Sequence, residues 1–130
     1  MKLIVSVFLA LASIVAQASD TRVVMHCEYR NEKDDREGVA DVTREGYGAD
    51  SRFFLKETLK DGSVPFDGEV QVLVTNEYED GIQLYLTSDV LWDLIYPGES
   101  DHSRYYANKF KGNEFLNWRG NCLKYERFSD

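Results

Sequence analysis

The chain has 130 residues, 43% of them hydrophobic, with 23 acidic and 15 basic side chains and a net charge of −8. This length allows a single domain with one hydrophobic core. The excess of acidic side chains argues against nucleic acid and anionic membrane surfaces as partners, because their phosphate groups would be repelled.

Residues 1–18 have the layout of a secretory signal peptide. Lys2 supplies a positive charge, an apolar run follows, and Ala16 and Ala18 are the small residues that a signal peptidase reads. The apolar run is too short to anchor the chain stably in a bilayer. We therefore predict cleavage before Ser19, a periplasmic or secreted protein, and no stable membrane insertion once the signal is removed.

Cleavage at this position removes 18 of the 130 residues and leaves 112, which we interpret as a single domain at 19–130. Lys2 is the only charged residue removed, so 14 basic side chains face 23 acidic ones and the mature net charge is −9. We expect a monomer that binds no nucleic acid. A cationic protein or a polymer of the cell envelope is the partner that this charge favours.

The domain contains two cysteines, Cys27 and Cys122, which lie 95 positions apart. Such a pair in an oxidising compartment is expected to form a disulfide. In the chain-entropy model, closing so long a loop contributes roughly 4–5 kcal/mol to stability. The two histidines, His26 and His102, lack a metal-ligand spacing, and two cysteines are too few for a zinc site, so we predict neither a metal nor another cofactor.

Apolar and polar residues alternate with a period of two through most of the domain, which is typical of half-buried strands. The predicted strands cover residues 23–30, 38–44, 53–60, 70–75, 82–87, 105–110, 114–118 and 122–127. The runs at 70–75 and 82–87 form the clearest unit, a hairpin with an acidic loop. Seven or eight short strands at this spacing predict an all-β fold, an antiparallel sandwich or a small barrel, closed by the disulfide.

Residues 88–96 fit two interpretations. Ser88 could cap a short helix with Asp89 in its first turn, and Leu91 and Leu94 would then share one helical face. The run is also short and aromatic enough to be a strand. The sequence therefore predicts one short helix or one further strand here.

Candidate binding residues come from the aromatic side chains, which concentrate in the last 39 residues. Tyr105 and Tyr106 are adjacent, so on a strand they point to opposite faces and one of them is expected to reach solvent. Surface tyrosine and tryptophan are favoured in interfaces and sugar-binding grooves. We therefore list Tyr105 and Tyr106 with Trp92 and Trp118 as candidates.

Residues 100–122 resemble the small periplasmic inhibitors of C-type lysozyme. The elements that carry the resemblance, together with the early strand cysteine, are Ser103-Arg104-Tyr105, Lys111-Gly112-Asn113-Glu114 and Cys122. In that family a Ser-x-x-x-Arg-Tyr-like segment precedes a Lys-Gly-Asp-Glu turn and a final disulfide cysteine on a small barrel. The chain departs from the pattern at Phe110, where the family has tryptophan, in a short gap between turn and cysteine, and in its greater length. The resemblance implies that Ser103, Arg104 and Tyr105 lie nearest an inhibitory surface.

No G-x-S-x-G motif and no phosphate-binding glycine loop is present, and an oxidised Cys27 cannot act as a nucleophile. We therefore expect a protein that is not an enzyme and that binds a protein or polymer of the envelope. Three alternatives stay open. The first is an inhibitor of a cationic cell-wall hydrolase. The second is a small hydrolase that uses surface carboxylates, for which the sequence places no base or nucleophile. The third is a β-barrel carrier of a small apolar ligand with Trp92 or Trp118 lining its cavity.

Overall fold

The computed structural model of the protein describes residues 20–99 and 101–129. They form eight antiparallel strands closed into a barrel, with one 3-10 turn at Gly48–Asp50. The strands are β1 (Thr21–Asn31), β2 (Glu37–Glu45), β3 (Arg52–Leu59), β4 (Phe66–Val74), β5 (Gly81–Tyr85), β6 (Val90–Ile95), β7 (Arg104–Lys111) and β8 (Glu114–Lys124). The prediction of an all-β domain of seven or eight strands is confirmed, and of its two architectures the chain adopts the barrel.

Each strand pairs with the next strand along the chain, and β8 pairs with β1 to close the barrel. The connecting loops therefore alternate between the two ends. We call the end with loop residues 46–51, 75–80, 96–99 and 101–103 the tail end, because the C-terminal residues 125–129 also lie there. The other four loops of the described chain lie at the opposite end.

Alternate residues of the strands point into the barrel and form one hydrophobic core. The largest apolar side chains with almost no exposed surface are Tyr105, Met25, Leu55, Ile82, Leu84 and Leu94. A bulge in β1 interrupts the alternation, so that the consecutive residues Val24 and Met25 are both buried. Side chains thus fill the interior, as expected for a barrel of this size.

The disulfide joins the first and last strands where the barrel closes. Cys27 and Cys122 lie directly opposite each other in the β1–β8 ladder, and their sulfur atoms are bonded. The predicted disulfide is confirmed. Closure of the barrel also pairs the two strands that would otherwise be sheet edges.

The last part of the chain contains one long strand where the sequence predicts two. Gly120 and Asn121, interpreted above as a turn, lie inside β8. Gly120 pairs with Tyr29 in the β1–β8 ladder, and a Cβ atom on Gly120 would collide with the carbonyl oxygen of Glu28 and lie 2.8 Å from the Tyr29 Cβ. The glycine is therefore required for the close approach of β1 and β8, which is a strand role and not a turn role.

Residues 88–96 contain strand β6, so the predicted alternative of a short helix is wrong. Trp92 and Leu94 point into the core, whereas Leu91 is buried outside it, between its ladder partners Tyr85 and Phe110. The strands β5 and β7 thus supply backbone hydrogen-bonding partners on both sides of β6. A helix would leave the β5 and β7 edges unpaired.

The predicted signal peptide at 1–18 and its cleavage site lie outside the described residues. Within residues 20–99 and 101–129, no helix has the length and apolar character needed to cross a membrane.

Candidate functional site

The six candidate binding residues do not form one surface. Trp92 and Tyr105 are buried in the core, with 3% and 1% of their surface exposed. Trp118 is half-buried, and its ring packs against the ring of Tyr29 at a centroid distance of 5.2 Å. The other three candidates, Ser103, Arg104 and Tyr106, have accessible surface.

The expectation that one residue of the tyrosine pair reaches solvent is confirmed. Tyr106 is 50% exposed on the outer face of β7, whereas Tyr105 points into the barrel. The accessible candidates Ser103 and Tyr106 lie in different parts of the barrel. Ser103 lies at the tail end, and Tyr106 lies on the outside of the barrel wall.

A buried ion pair lies inside the barrel between β3 and β7. The carboxylate of Glu57, 1% exposed, accepts hydrogen bonds from Lys109 Nζ at 2.9 and 3.1 Å. Trp92 Nε1 donates to the same carboxylate at 2.7 Å. Nearby, the Tyr29 hydroxyl is the one buried side-chain polar atom of the described chain without a hydrogen-bond partner. Burial, reinforced by the charge of Glu57, raises the pKa of Tyr29.

A second buried ion pair closes the tail end. Lys124 Nζ donates to Glu79 Oε1 at 2.6 Å and to the Tyr105 hydroxyl at 2.9 Å. The backbone amides of Phe128 and Ser129 donate to the Glu79 carboxylate at 3.2 and 2.7 Å. Burial alone would raise the pKa of Glu79, but the hydrogen bonds from Lys124, Ser129 and Phe128 outweigh burial and hold that pKa below its ordinary value.

The C-terminal residues are therefore packed over the tail end. Phe128 is buried, and its ring lies 5.2 Å from the ring of Phe53. The guanidinium of Arg44, itself buried, donates to the Arg127 carbonyl oxygen at 2.9 Å. These contacts fix the position of the tail beside the neighbouring loops.

A cleft of about 310 Å³ opens at the tail end, and we call it the tail-end cleft. It is lined by Tyr78, Asp101, His102, Ser103, Lys124, Tyr125, Glu126 and Arg127. Tyr78 and Tyr125 are 63% and 57% exposed. The segments that contribute to the cleft or flank it, residues 76–81, 96–99, 101–103 and 124–129, carry six carboxylates and two basic side chains.

The ionised carboxylates of the cleft are held by neighbouring donors. His102 Nε2 lies 2.9 Å from Asp80 Oδ1, and its ring stacks on Tyr96 at a centroid distance of 3.8 Å. Hydrogen bonds from Asn76 and then from His102 lower the pKa of Asp80. The Ser103 hydroxyl, which donates at 2.6 Å, likewise lowers the pKa of Asp101. The lining of the cleft carries two carboxylates and two basic groups, so the excess of negative charge lies on the surrounding loops, at Glu77, Asp80 and Glu99.

A larger concavity lies on the outside of the barrel. It is an open groove of about 1300 Å³ along the outer face of β2, β1, β8 and β7, which we call the outer groove. Tyr106, Phe110 and Phe115 line it, and the two phenylalanine rings lie 5.8 Å apart. Both concavities open to solvent and neither is enclosed by the barrel, so the geometry gives no support to a carrier with an internal cavity.

The two histidines lie beside separate carboxylates. His26 Nδ1 is 2.7 Å from Asp41 Oδ1 on the outer face, and His102 contacts Asp80 at the tail end. Among the residues that the structure describes, no three His, Cys, Asp or Glu side chains are grouped closely enough to hold a metal ion.

The sequence reasoning missed both buried ion pairs, although one of them leaves a signal. Glu57 occupies the position between Leu55 and Leu59 in the inward-facing alternation of β3, where a charge requires a buried partner. On β7, Lys109 likewise continues the inward-facing alternation of Tyr105 and Ala107, so its charge also requires a buried partner. Glu79 lies in a loop, where no alternation marks its burial.

No protein-family model matches this chain. No curated protein and no solved structure matches it significantly either. The cleft, the groove and the two buried ion pairs are therefore the features of the molecule that bear on its function.

Proposed function

We propose that the protein is an exported, non-enzymatic binding protein that holds a cationic protein at its tail-end cleft. The predicted signal peptide supports export. The disulfide between Cys27 and Cys122 is compatible with an oxidising compartment such as the periplasm or the extracellular medium.

The closed barrel restricts how such a partner is bound. A partner cannot add a strand to a barrel whose eight described strands are all paired on both sides, so it has to contact side chains on the ends or the outer wall. The fully buried carboxylates of Glu57 and Glu79 are already hydrogen-bonded to lysine side chains. Neither carboxylate is accessible to a substrate, which favours binding over acid–base chemistry.

The observation that carries the proposal is the pair of exposed tyrosines in a cleft surrounded by acidic loops. A lysine or arginine side chain attracts both the carboxylates and the face of an aromatic ring. Tyr78 and Tyr125 line the same cleft as Asp101, and five carboxylates with accessible surface lie on the surrounding segments, the sixth, Glu79, being buried. Charge complementarity of this kind speeds association with a basic surface and makes it dependent on salt concentration.

Inhibition of a cationic cell-wall hydrolase is the second candidate function. Ser103, which the resemblance to C-type lysozyme inhibitors implicates, lines the tail-end cleft, and Arg104 is exposed beside it. The buried Tyr105 supports this region from inside by donating a hydrogen bond to the Glu79 carbonyl oxygen at 2.5 Å. A turbidity assay with a C-type lysozyme tests this candidate, and full lysozyme activity at a large molar excess of the protein would remove it.

Capture from an envelope extract with the immobilised mature chain tests the main proposal. One variant neutralises the cleft loops with Glu77→Gln, Glu99→Gln and Asp101→Asn. The matched control neutralises three carboxylates at the opposite end with Asp34→Asn, Asp35→Asn and Glu114→Gln, which changes the net charge equally.

We expect basic proteins to be captured by the unmodified chain and by the control, and about tenfold less by the cleft variant. If both variants lost the same amount of captured protein, net charge alone would explain binding, and a defined binding cleft would be contradicted. Captured proteins without a basic bias would also contradict the proposal.

A further inference from the structure

We propose that the outer groove is a second binding site, and that it takes a neutral oligosaccharide chain. This inference does not depend on the tail-end cleft. The groove is built from strands of the wall and the cleft from loops at one end, and the residues that line the two concavities do not overlap.

The strand register arranges the groove residues in rows across the barrel wall. The first row places Val39, Glu28, Asn121 and Tyr106 side by side on β2, β1, β8 and β7. The second row places Glu37, Arg30, Arg119 and Asn108 on the same strands in the same order. A third row pairs Phe115 with Phe110 across the β7–β8 hairpin.

The rows alternate in chemistry in a way that suits a sugar ring. A sugar presents C–H groups on its faces, which pack on aromatic rings, and hydroxyl groups around its rim, which donate and accept hydrogen bonds. Tyr106 in the first row and the two phenylalanines in the third supply aromatic surface. The polar second row lies between them and supplies an amide, two guanidinium groups and a carboxylate.

Three polar side chains of the groove are available to a ligand. Asn108, Asn121 and Glu28 line the groove, and within the described chain none of their side chains makes a hydrogen bond or an ion pair. In contrast, Arg30 is paired with Asp35 at 2.9 Å. Arg119 is paired with Glu32 at 3.1 Å, so both guanidinium groups already have a carboxylate partner within the chain.

The groove lacks the acidic loops that surround the tail-end cleft. Its lining contains three basic side chains (Arg30, Lys60 and Arg119) and three acidic ones (Glu28, Glu32 and Glu37), although the chain as a whole is strongly acidic. A balanced lining suits an uncharged ligand better than a basic protein or a polyanion. The four strands span three inter-strand spacings of about 4.8 Å, or about 14 Å, which accommodates several sugar rings in line.

The test titrates the full mature chain with four soluble tetrasaccharides, built from N-acetylglucosamine, glucose, mannose or galactose, and follows backbone amide NMR shifts. The variant is Tyr106→Ala, and the matched control is Tyr78→Ala, which removes another exposed tyrosine, from the tail-end cleft. Glu28→Gln is a second variant, because it keeps the shape of the side chain and leaves folding undisturbed.

We expect at least one tetrasaccharide to shift amides of β1, β7 and β8, with affinity about tenfold lower in Tyr106→Ala and unchanged in Tyr78→Ala. Binding of none of the four sugars would overturn the inference. Shifts confined to the tail end, or full affinity in both Tyr106→Ala and Glu28→Gln, would overturn it as well. Capture of basic proteins by the Tyr106→Ala variant tests the tail-end cleft alone. Failure of the sugar-binding proposal can therefore be distinguished from failure of the cleft proposal.

Discussion

Glu79 and Lys124 form an ion pair of 2.6 Å that joins the loop between β4 and β5 to the end of the last strand. Their side chains are only 1% and 7% exposed. The Glu79 carboxylate also holds the backbone of Phe128 and Ser129. One buried carboxylate therefore organises the tail and the loops that build the cleft.

Glu79→Gln should lower the free energy of unfolding by about 3–5 kcal/mol, because it leaves the buried ammonium of Lys124 without a counter-charge. Urea unfolding at neutral pH measures this change. The matched control is Glu77→Gln, two positions away in the same loop and exposed. The control should change the free energy by less than about 0.5 kcal/mol, and equal effects would show that the ion pair has no special role.

The stability of the protein should fall in acid, and Glu79 should account for part of the fall. The pKa of Glu79 in the folded state lies below its ordinary value of 4.5. The stabilisation from this lowered pKa is therefore complete above the unfolded-state pKa and is lost as the pH falls through the folded-state pKa. The free energy of unfolding, measured at several pH values between about pH 3 and pH 6, should change less with pH for Glu79→Gln than for the unmodified chain. The same pH dependence of stability in both proteins would contradict the role assigned to Glu79.

Glu57 and Lys109 should show strong coupling in a double-mutant cycle. Each single substitution, Glu57→Gln or Lys109→Met, leaves one buried charge unpaired and should cost about 3–5 kcal/mol. The double variant should cost much less than the sum, since it removes both charges and the glutamine oxygen still accepts from Trp92 Nε1. Additive losses, measured by chemical unfolding, would mean that the two charges do not stabilise each other.

Gly120→Ala should destabilise the barrel by about 1–3 kcal/mol, because the added Cβ forces β1 and β8 apart beside Tyr29. Gly68→Ala is the control, since its added Cβ would lie 3.5 Å from the Phe66 ring, an ordinary contact distance. Thermal unfolding of both variants compares them directly. A tolerated Gly120→Ala would show that the strands can separate without cost.

The fold was largely predictable because the alternation of apolar and polar residues reports which face of a strand is buried. The disulfide was predictable for a separate reason, since the two cysteines lie in strands near opposite ends of the domain and the predicted signal peptide implies an oxidising compartment. One local prediction, the turn at Gly120 and Asn121, is wrong, and the sequence leaves residues 88–96 open between a helix and a strand. In both places the neighbouring strands of the barrel decide the structure.

The candidate site was only partly predictable. Adjacency of Tyr105 and Tyr106 indicates that one of them is exposed, but not which one, because the phase of the alternation depends on pairing with β6 and β8. The tail-end cleft combines three segments that are far apart in sequence, and Tyr125 reaches it only because the tail folds over the barrel end. No local pattern contains that information.

The most direct test of the central claim is a map of where a cationic protein contacts the barrel. Amide NMR shifts of the isotope-labelled mature chain, titrated with a C-type lysozyme at low and high salt, provide that map. We expect the largest shifts at Tyr78, His102, Ser103 and Tyr125, and affinity that falls as salt is added. An absence of shifts at low salt, or shifts located in the outer groove or at the opposite end of the barrel, would contradict a cation-binding cleft.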